Sequence, residues 1–336
     1  MSPTKTPVLE LLNLKVGFPS VDIVKGINLQ IHEGEKVALV GESGCGKSLT
    51  AFSILRLLPQ GAAIKDGQVI FDGLDLATLP AWQLRRIRGK GIALILQEPM
   101  TSLNPVLPIG LQVAENIRSH EKISRKAADE RVLDLLDLVG IANPRERAKM
   151  YPHNFSGGMR QRVMIAMAIA CNPRLLIADE PTTALDVTIQ AQVMDLLEDL
   201  CSKLSMAMLL ITHDLGAVAQ WADRVAVMYS GRIAEQAPIK PFFTGPRHPY
   251  SQGLINSSVE EGWHYTQRRL TEIKGTVHSA LGEQGCAFAP RCPYAAPECR
   301  LTPPELQDVA PDWRAACYRL DAAGRDLLTG AAHVSA

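Results

Sequence analysis

The chain has 336 residues, of which 46% are hydrophobic and 21% are charged, and its 35 basic residues are balanced by 35 acidic ones. This length predicts two domains, or one large domain with an appendage, and the hydrophobic content is sufficient for a sizeable core. A net charge of zero provides no global basic field that would favour nucleic acid as a partner. No apolar run reaches the roughly 18 residues needed to span a membrane, and Met1–Pro7 lacks the apolar core of a signal peptide, so we expect a cytosolic protein.

Two antiparallel strands are predicted at the start of the chain, over Val8–Val16 and Ile27–Ile31, with Lys25-Gly26 between them. Their alternation of apolar and polar residues is typical of strands with one buried face. Phe18 lies in a Gly-Phe-Pro turn, where an aromatic ring could stack on a purine base. A plain core aromatic remains the alternative interpretation of Phe18.

A glycine-rich loop follows the short apolar run Val37–Val40, which we interpret as a buried strand. Residues 41–48 fit the pattern G-x-x-x-x-G-K-[ST], and a helix is predicted from Leu49 onward. Glycines let the backbone curl so that its N–H groups point inward and bind an anion, and the helix N-terminus adds partial positive charge. The loop therefore predicts a nucleoside triphosphate site, in which Lys47 reaches the β- and γ-phosphates and Ser48 ligates Mg²⁺.

The next elements are a strand at Gly67–Gly73, a short basic helix at Leu79–Arg88 and a second buried strand at Gly91–Leu96. Gln97 follows this strand, at the carboxyl end where α/β proteins bind ligands. Residues 110–148 form a helical insertion, with an apolar stripe among charged residues. Such an insertion between two core strands suggests a subdomain that faces a partner.

The second half of the chain carries two more anion-related patterns. Ser156 begins a Ser-Gly-Gly sequence that caps a helix, which is a weak signal of anion binding by itself. The apolar strand Leu175–Glu180 ends in Asp179 and Glu180, and buried carboxylates need a partner. We expect Asp179 to bind Mg²⁺ through water and Glu180 to activate the attacking water, with a simple ion pair at the strand end as the alternative.

A turn that contains Asp186 precedes the predicted helix Thr188–Leu204. The buried strand Ala207–Thr212 then delivers His213 to the same edge of the sheet as the carboxylates. A lone histidine is usually structural, but one at this position is expected to contact the γ-phosphate. Val225–Tyr229 and the residues after Ser230-Gly231 are predicted to form a hairpin.

These motifs, in this order, resemble those of ATP-binding subunits of ABC transporters over about residues 8–235. The resemblance implies an α/β fold: a RecA-like P-loop ATPase core, an antiparallel β subdomain and a helical insertion subdomain at about 98–160. It also implies ATP and Mg²⁺ as ligands, and the presence of Glu180 implies hydrolysis. One departure is Phe155-Ser-Gly-Gly-Met159, where Leu-Ser-Gly-Gly-Gln is commonest in the family.

The resemblance assigns roles to individual residues of this chain. It matches Phe18 to the aromatic A-loop, residues 41–48 to Walker A, Gln97 to the Q-loop, residues 155–161 to the signature, residues 175–180 to Walker B, residues 184–186 to the D-loop and His213 to the switch histidine. The implied catalytic residues are Glu180, His213, Lys47 and Gln97, and the implied Mg²⁺ ligands are Ser48, Gln97 and Asp179. The implied ATP-binding residues are Phe18, Gly41, Glu42, Ser43, Gly44, Cys45, Gly46, Lys47, Ser48, Leu49, Gln97, Asp179, Ser156, Gly157, Gly158 and Asp186.

A narrower resemblance points to the importers of dipeptides, oligopeptides and nickel. Residues 97–105 are similar to the Q-loop region of these systems, and residues 165–171 and 178–192 are similar to the first, dipeptide-type of their two ATPase subunits. The resemblance implies a motor subunit that acts with a sister ATPase as a heterodimer, with two transmembrane permeases and with an extracytoplasmic peptide-binding protein. It implies a peripheral location at the cytoplasmic face of the bacterial inner membrane. A nickel-complex importer and a soluble ABC ATPase of DNA repair or translation are the alternatives, and no nucleic-acid partner is expected.

The C-terminal part is predicted to be a separate domain at 241–325, after an ATP-binding domain at 8–240. It crowds four cysteines into a short segment that is poor in apolar residues. In a cytosolic chain such a cluster indicates metal rather than disulfides, and four thiolates suit an iron–sulfur cluster or structural zinc. Similar tails in peptide-importer ATPases are associated with a 4Fe–4S cluster, so we expect that cluster on Cys286, Cys292, Cys299 and Cys317, with zinc or four unligated cysteines as the alternatives.

Overall fold

The computed structural model describes residues 6–96, 102–183, 185–257, 273–276 and 283–320. Its strands form a four-stranded antiparallel sheet, in the order β2-β1-β4-β5, and an eight-stranded sheet, in the order β11-β12-β10-β9-β3-β8-β7-β6. The strands are β1 (Pro7–Phe18), β2 (Val21–His32), β3 (Lys36–Val40), β4 (Ala63–Phe71), β5 (Leu74–Asp75), β6 (Ile92–Ile95), β7 (Leu175–Asp179), β8 (Ala207–Thr212), β9 (Arg224–Tyr229), β10 (Arg232–Pro238), β11 (Gln307–Ala310) and β12 (Trp313–Ala315).

Ten α-helices are seen among the described residues, and three short 3-10 helices accompany them. The α-helices are α1 (Lys47–Ile54), α2 (Ala81–Ile87), α3 (Ile109–His120), α4 (Arg125–Leu138), α5 (Pro144–Arg147), α6 (Gly157–Ile169), α7 (Val187–Leu204), α8 (Leu215–Trp221), α9 (Ile239–Thr244) and α10 (Pro249–Ser257). The 3-10 helices are Pro152–Asn154, Ala289–Arg291 and Pro297–Arg300. None of the described helices combines the length and the apolar character that crossing a membrane would require.

The middle of the large sheet is parallel, and this arrangement determines which connecting segments lie next to one another. Strand β3 pairs in parallel with β8 and β9, and β7 pairs in parallel with β8 and β6. These strands are almost entirely buried because helices and the small sheet cover their faces, which is why they are continuous apolar runs. Since parallel strands end at the same edge, the segments that follow β3, β7 and β8 lie next to one another.

The first hairpin differs from the prediction. Strands β1 and β2 turn between Phe18 and Val21, and Gly26 lies inside β2 at a φ of 82° rather than in a turn. Asn13 in β1 also has a positive φ, and the strand register shifts near both residues. Lys25-Gly26 is therefore part of a strand irregularity, because a glycine within a strand can absorb a bulge as readily as it can form a turn.

The predicted helical insertion is confirmed as three helices, α3 to α5, and it packs on α6. Its core is formed by residues such as Ile109, Val113, Leu136 and Val163, which are each fully buried. The Arg131 guanidinium donates to the Glu121 carboxylate at 2.7 Å. The insertion is thus a compact helical unit that rests on the edge of the sheet near β6.

The C-terminal segment has more apolar core than its composition predicts. Strand β12 pairs with β10, so this segment extends the large sheet. Phe242, Tyr250, Phe288 and Trp313 are buried together against β3 and β9. The aromatic side chains compensate for the low number of aliphatic residues, because each buries a large apolar area.

A buried carboxylate joins these C-terminal elements to the sheet. Glu235 in β10 is fully buried, and it accepts hydrogen bonds from the backbone N–H groups of Arg247 and His248, at 2.9 Å each. The indole N–H of Trp313 also donates to it, at 2.8 Å. Burial raises the pKa of Glu235 despite these donors. The carboxylate therefore connects β10 with the segment before α10 and with β12.

Candidate active site

The loop between β3 and α1 has the backbone geometry of an anion site. Gly41, Gly44 and Gly46 have φ values of 152°, 79° and 110°, which favour glycine over any other residue. A Cβ on Gly41 would lie 2.2 Å from the carbonyl oxygen of Met228. Ser43 and Gly44 are exposed at the tip, whereas Cys45 is buried beneath it and Leu49 is half-buried on α1. The loop therefore curls at the N-terminus of α1 as the sequence predicts.

Lys47 lies within this loop and is 7% exposed. Its Nζ donates to the carbonyl oxygens of Gly41 and Glu42, at 2.7 and 3.0 Å. These carbonyls are neutral acceptors, so an anion in the loop would compete with them for the ammonium group. Lys47 is thus positioned to exchange loop carbonyls for phosphate oxygens.

Asp179 ends strand β7 and faces the start of α1. It is 3% exposed, and its Oδ1 has no hydrogen-bond partner among the described residues. Burial raises its pKa, while a hydrogen bond from the Ser48 hydroxyl acts in the opposite direction. A buried carboxylate oxygen without a partner is costly unless a cation or water meets it. Ser48 and Asp179 therefore fit a Mg²⁺ ion that retains some of its water ligands.

Glu180 and His213 are adjacent at the same edge of the sheet. The backbone of Glu180 has a φ of 47°, and its N–H donates to the Ile211 carbonyl at 2.8 Å. Its Oε1 lies 3.1 Å from Nδ1 of His213, and its Oε2 accepts from the Thr183 hydroxyl at 2.8 Å. The carboxylate is thus directed by contacts on both oxygens, next to a histidine side chain that is 67% exposed.

The Ser-Gly-Gly sequence caps helix α6 as predicted. Ser156 Oγ accepts from the Met159 N–H at 3.4 Å, so Gly157 and Gly158 form the first turn. A Cβ on Gly158 would lie 2.7 Å from Cγ2 of Ile189, which places this turn against α7. Asp186 caps α7 in turn, because its Oδ1 accepts from the Ile189 N–H at 3.0 Å.

Gln161 is a link that the sequence did not predict. It is fully buried in α6, and its Nε2 donates to the Pro181 carbonyl at 2.6 Å. Pro181 directly follows Glu180, so the Ser-Gly-Gly helix is tied to the carboxylate loop. A glutamine inside an apolar helix was the available signal, since a buried amide needs hydrogen-bond partners.

Two predicted residues have a less complete structural account. Phe18 ends strand β1 and is half-buried, with its ring 3.7 Å from the position of a Cβ on Gly61. Gln97, predicted both as a catalytic residue and as a Mg²⁺ ligand, lies outside the described residues, as does Ala184.

The predicted iron–sulfur cluster is wrong. The four cysteines of the C-terminal segment border one cavity of only about 10 Å³, roughly the room for one water molecule. Within the described ranges, no group of three or more His, Cys, Asp or Glu side chains is arranged to hold a metal ion. Burial raises the pKa of Cys292 to about 11 and that of Cys317 to about 12, which favours neutral thiols. For the same reasons the zinc alternative has no site among the described residues. The spacing of Cys286, Cys292, Cys299 and Cys317 in the sequence did not reveal how closely their side chains would pack.

Known families match two consecutive parts of the chain. The family described as "ABC transporter" matches residues 24–183, and the family described as "Oligopeptide/dipeptide transporter, C-terminal region" matches residues 234–299. The first match contains the glycine-rich loop and the carboxylates of β7. The second contains part of β10 and three of the four C-terminal cysteines.

Similar proteins extend over nearly the whole chain. A probable peptide ABC transporter ATP-binding protein, y4tR of Sinorhizobium fredii, is 50% identical over 325 residues, which are 95% of this chain and 96% of that protein. The dipeptide transport ATP-binding protein DppD of Bacillus subtilis is 50% identical over 292 residues, covering 85% of this chain and 87% of DppD. Among solved structures, the ATP-binding cassette MJ0796, dimeric and bound to ADP and phosphate after hydrolysis, matches with a TM-score of 0.62 and 27% identity. That match covers 69% of this chain and 99% of the cassette.

Proposed function

The chain belongs to the ABC transporter family and is an ATPase of that family, and we propose that its ATP hydrolysis drives the import of short peptides. The similarity to named peptide-import ATP-binding proteins, at 50% identity over 95% of this chain, is the observation that carries the proposal. The match to the C-terminal region of oligopeptide and dipeptide transporters supports the same substrate class. The relatives reported above do not favour the alternatives in DNA repair or translation.

We propose that the residues at the carboxyl edge of the sheet bind the nucleotide. The glycine-rich loop presents its N–H groups, and the N-terminus of α1 adds a partial positive charge, for the phosphates. We propose that Lys47 transfers its hydrogen bonds from the Gly41 and Glu42 carbonyls to the β- and γ-phosphates. The half-buried Phe18 is proposed to stack on the adenine. It lies at the turn of the hairpin formed by β1 and β2, and Ile23 of the same hairpin lies close to Gly46 of the glycine-rich loop.

Ser48 and Asp179 are the residues proposed to hold Mg²⁺, through the Ser48 hydroxyl and the unpartnered Oδ1 of Asp179. When bound, the ion would neutralise negative charge on the β- and γ-phosphates. Glu180 is proposed as the general base that takes a proton from the attacking water. His213 holds the Glu180 carboxylate in place, since the two side chains lie 3.1 Å apart.

The remaining predicted residues are proposed to act across a dimer. Ser156, Gly157 and Gly158 would contact the γ-phosphate held by a sister ATPase, and Asp186 would lie at the same interface. The N-terminus of α6 is suited to this role because it presents backbone N–H groups to an anion. The dimeric state of the similar cassette MJ0796 supports a dimer here.

The chain is proposed to work at the cytoplasmic face of the bacterial inner membrane, with two permease subunits and an extracytoplasmic peptide-binding protein. The helical insertion is the proposed contact with the permeases. Its exposed apolar side chains include Val106, which is 74% exposed, and Leu111, which is 43% exposed.

The test is to tag the chain in its own cell, solubilise the membranes in mild detergent and identify the co-purifying proteins. We expect two multi-span proteins and a second ATPase. The purified complex, reconstituted in vesicles with ATP inside and its binding protein outside, is expected to take up a labelled dipeptide and not a nickel complex. Uptake of nickel alone would reassign the substrate, and recovery with ribosomes or DNA would contradict transport.

A further inference from the structure

Arg291 of the C-terminal segment forms a two-point ion pair with Glu42 of the phosphate loop. Its Nη1 and Nη2 donate to the two carboxylate oxygens at 2.7 and 3.0 Å. The two residues are 249 positions apart, and the Arg291 side chain is 3% exposed. A bidentate pair of this kind restricts both the position and the direction of the carboxylate.

The rest of the Arg291 guanidinium is also bound. Its Nε donates to the Lys274 carbonyl at 2.8 Å, and Nη2 donates to the Ile273 carbonyl at 3.1 Å. The side chain lies against the rings of Tyr229 and Phe288. Arg291 is therefore held by the body of the C-terminal segment and is not a mobile surface side chain.

Glu42 has a second contact with the same part of the molecule. Its backbone N–H donates to the Tyr250 hydroxyl at 2.8 Å, and Tyr250 is fully buried in helix α10. The Glu42 carbonyl accepts from Lys47 Nζ at 3.0 Å. Glu42 is consequently held on one side by Lys47 and on the other by two residues from beyond β10.

We propose that Arg291 is a positioning residue for the phosphate loop, and that the C-terminal segment thereby sets the affinity of this chain for nucleoside triphosphate. The inference rests on the proposed binding of phosphates by Lys47. When Lys47 turns to phosphate, the Glu42 carbonyl loses its ammonium partner. The contacts with Arg291 and Tyr250 then hold Glu42 in place, so the loop keeps its shape around the phosphates.

Arg291 is also expected to affect nucleotide binding through its positive charge. Glu42 places a carboxylate in a loop that binds a polyanion, and like charges in a partly buried site repel. The Arg291 guanidinium neutralises that carboxylate. Loss of Arg291 would therefore both loosen the loop and expose the phosphates to an unpaired negative charge.

The experiment uses the full chain and four variants: Arg291→Gln, Arg291→Lys, Glu42→Gln and the double variant Glu42→Gln/Arg291→Gln. Equilibrium binding of a fluorescent ATP analogue gives Kd. Hydrogen–deuterium exchange without nucleotide reports on the backbone of residues 41–48. We expect Arg291→Gln to raise Kd roughly tenfold and to speed exchange in the loop, because the loop loses its two-point contact and an unpaired carboxylate then lies near the phosphates.

The double variant separates the effect of charge from the effect of positioning. Glu42→Gln/Arg291→Gln lacks the unpaired carboxylate and should recover part of the affinity lost in Arg291→Gln, but it also lacks the two-point contact, so exchange in its loop should stay fast. Arg291→Lys, which keeps the charge but not the two-point geometry, should fall between the wild type and Arg291→Gln. The matched control is Arg314→Gln, whose arginine pairs with Asp308 at 2.6 Å in the same segment. It should bind as the wild type does.

Two results would overturn the proposal: an Arg291→Gln variant with unchanged Kd and unchanged loop exchange, or a double variant whose loop exchanges at the wild-type rate. If Arg291→Gln does not fold, Arg291→Lys and Glu42→Gln are tested instead. Loop exchange at the wild-type rate in both of these variants would overturn the proposal. A wild-type chain that does not bind the analogue would contradict the proposed function instead. Loop exchange would then still decide whether Arg291 positions the loop.

Discussion

Oε1 of Glu180 lies 3.1 Å from Nδ1 of His213, although the residues are 33 positions apart. The pairing of β7 with β8 creates this contact, because Asp179 is opposite Ile211 and the chain continues by one or two residues from each. The backbone of Glu180 has a positive φ of 47°, directly after the end of β7. The two side chains therefore act as one unit in the predictions that follow.

Replacing Glu180 with Gln removes the proposed base and retains the shape of the side chain. In the assembled complex we expect kcat for ATP to fall by at least about 100-fold, because a positioned base contributes that much to proton transfer. Binding of ATP should persist, and the complex should remain in its closed state. Glu305→Gln, at an exposed position, is the control. Full turnover by Glu180→Gln would show that another group takes the proton.

Replacing His213 with Ala removes the contact that orients the Glu180 carboxylate. We expect kcat to fall about tenfold or more, while Kd for ATP changes little. The effects of His213→Ala and Glu180→Gln should not add in the double variant, since the histidine acts through the carboxylate. Steady-state ATPase assays on the complex measure this, and fully additive losses would indicate independent roles.

Replacing Lys47 with Ala removes the buried ammonium group of the loop. We expect Kd for ATP to rise by about 10- to 100-fold, because hydrogen bonds to a charged group contribute about 1.5–3 kcal/mol. Equilibrium binding to the full chain measures the change. Lys203→Ala, at an exposed pair with Asp199, should bind as the wild type does. Unchanged binding by Lys47→Ala would remove Lys47 from the site.

Replacing Glu235 with Ala leaves three donors without an acceptor: the part-buried N–H of Arg247, the buried N–H of His248 and the buried indole of Trp313. We expect the free energy of unfolding to fall by about 3–5 kcal/mol, because each buried donor left without an acceptor costs about 1–3 kcal/mol. Glu235→Gln keeps one acceptor oxygen and should cost less. Urea unfolding of the full chain measures both, with Glu305→Ala as the exposed control. A small effect of Glu235→Ala would show that water replaces the carboxylate.

The buried His248 makes the stability dependent on pH. Its Nδ1 accepts from the Tyr250 N–H at 3.0 Å, and burial lowers its pKa from 6.5 to about 4. The unfolded chain therefore binds a proton at a higher pH than the folded chain does. The stability associated with neutral His248 is complete above about pH 6.5 and is lost as the pH falls toward 4.

Between pH 7 and pH 5 this loss should be about 2 kcal/mol, as follows from the pKa difference. His248→Asn retains an acceptor for the Tyr250 N–H but does not titrate, so its stability should fall less over this range. Urea unfolding at both pH values measures the difference. His153→Asn, at an exposed histidine, should retain the wild-type dependence. Equal pH dependence in His248→Asn would place the titration elsewhere.

Local sequence patterns were sufficient to predict the elements that are proposed to bind and hydrolyse ATP. Secondary structure could be predicted from the local pattern at each of three places: the glycines around Lys47, the apolar strand that ends at Asp179 and the apolar strand before His213. Parallel pairing then brings their ends together, so the meeting of these residues at one edge of the sheet could be predicted without coordinates. The turn of the first hairpin could not, because Lys25-Gly26 is compatible with both a turn and a strand irregularity.

The tertiary structure alone decided what surrounds these elements. The spacing of the four C-terminal cysteines indicated a metal cluster, but the fold closes them around a cavity too small for one. The pair between Arg291 and Glu42 joins residues 249 positions apart, and no local pattern encodes such a contact. Backbone propensity and the burial pattern of a strand depend on a few neighbouring residues, so they can be predicted from the sequence. Side-chain pairing across the chain depends on how the completed elements pack, and only the folded protein contains it.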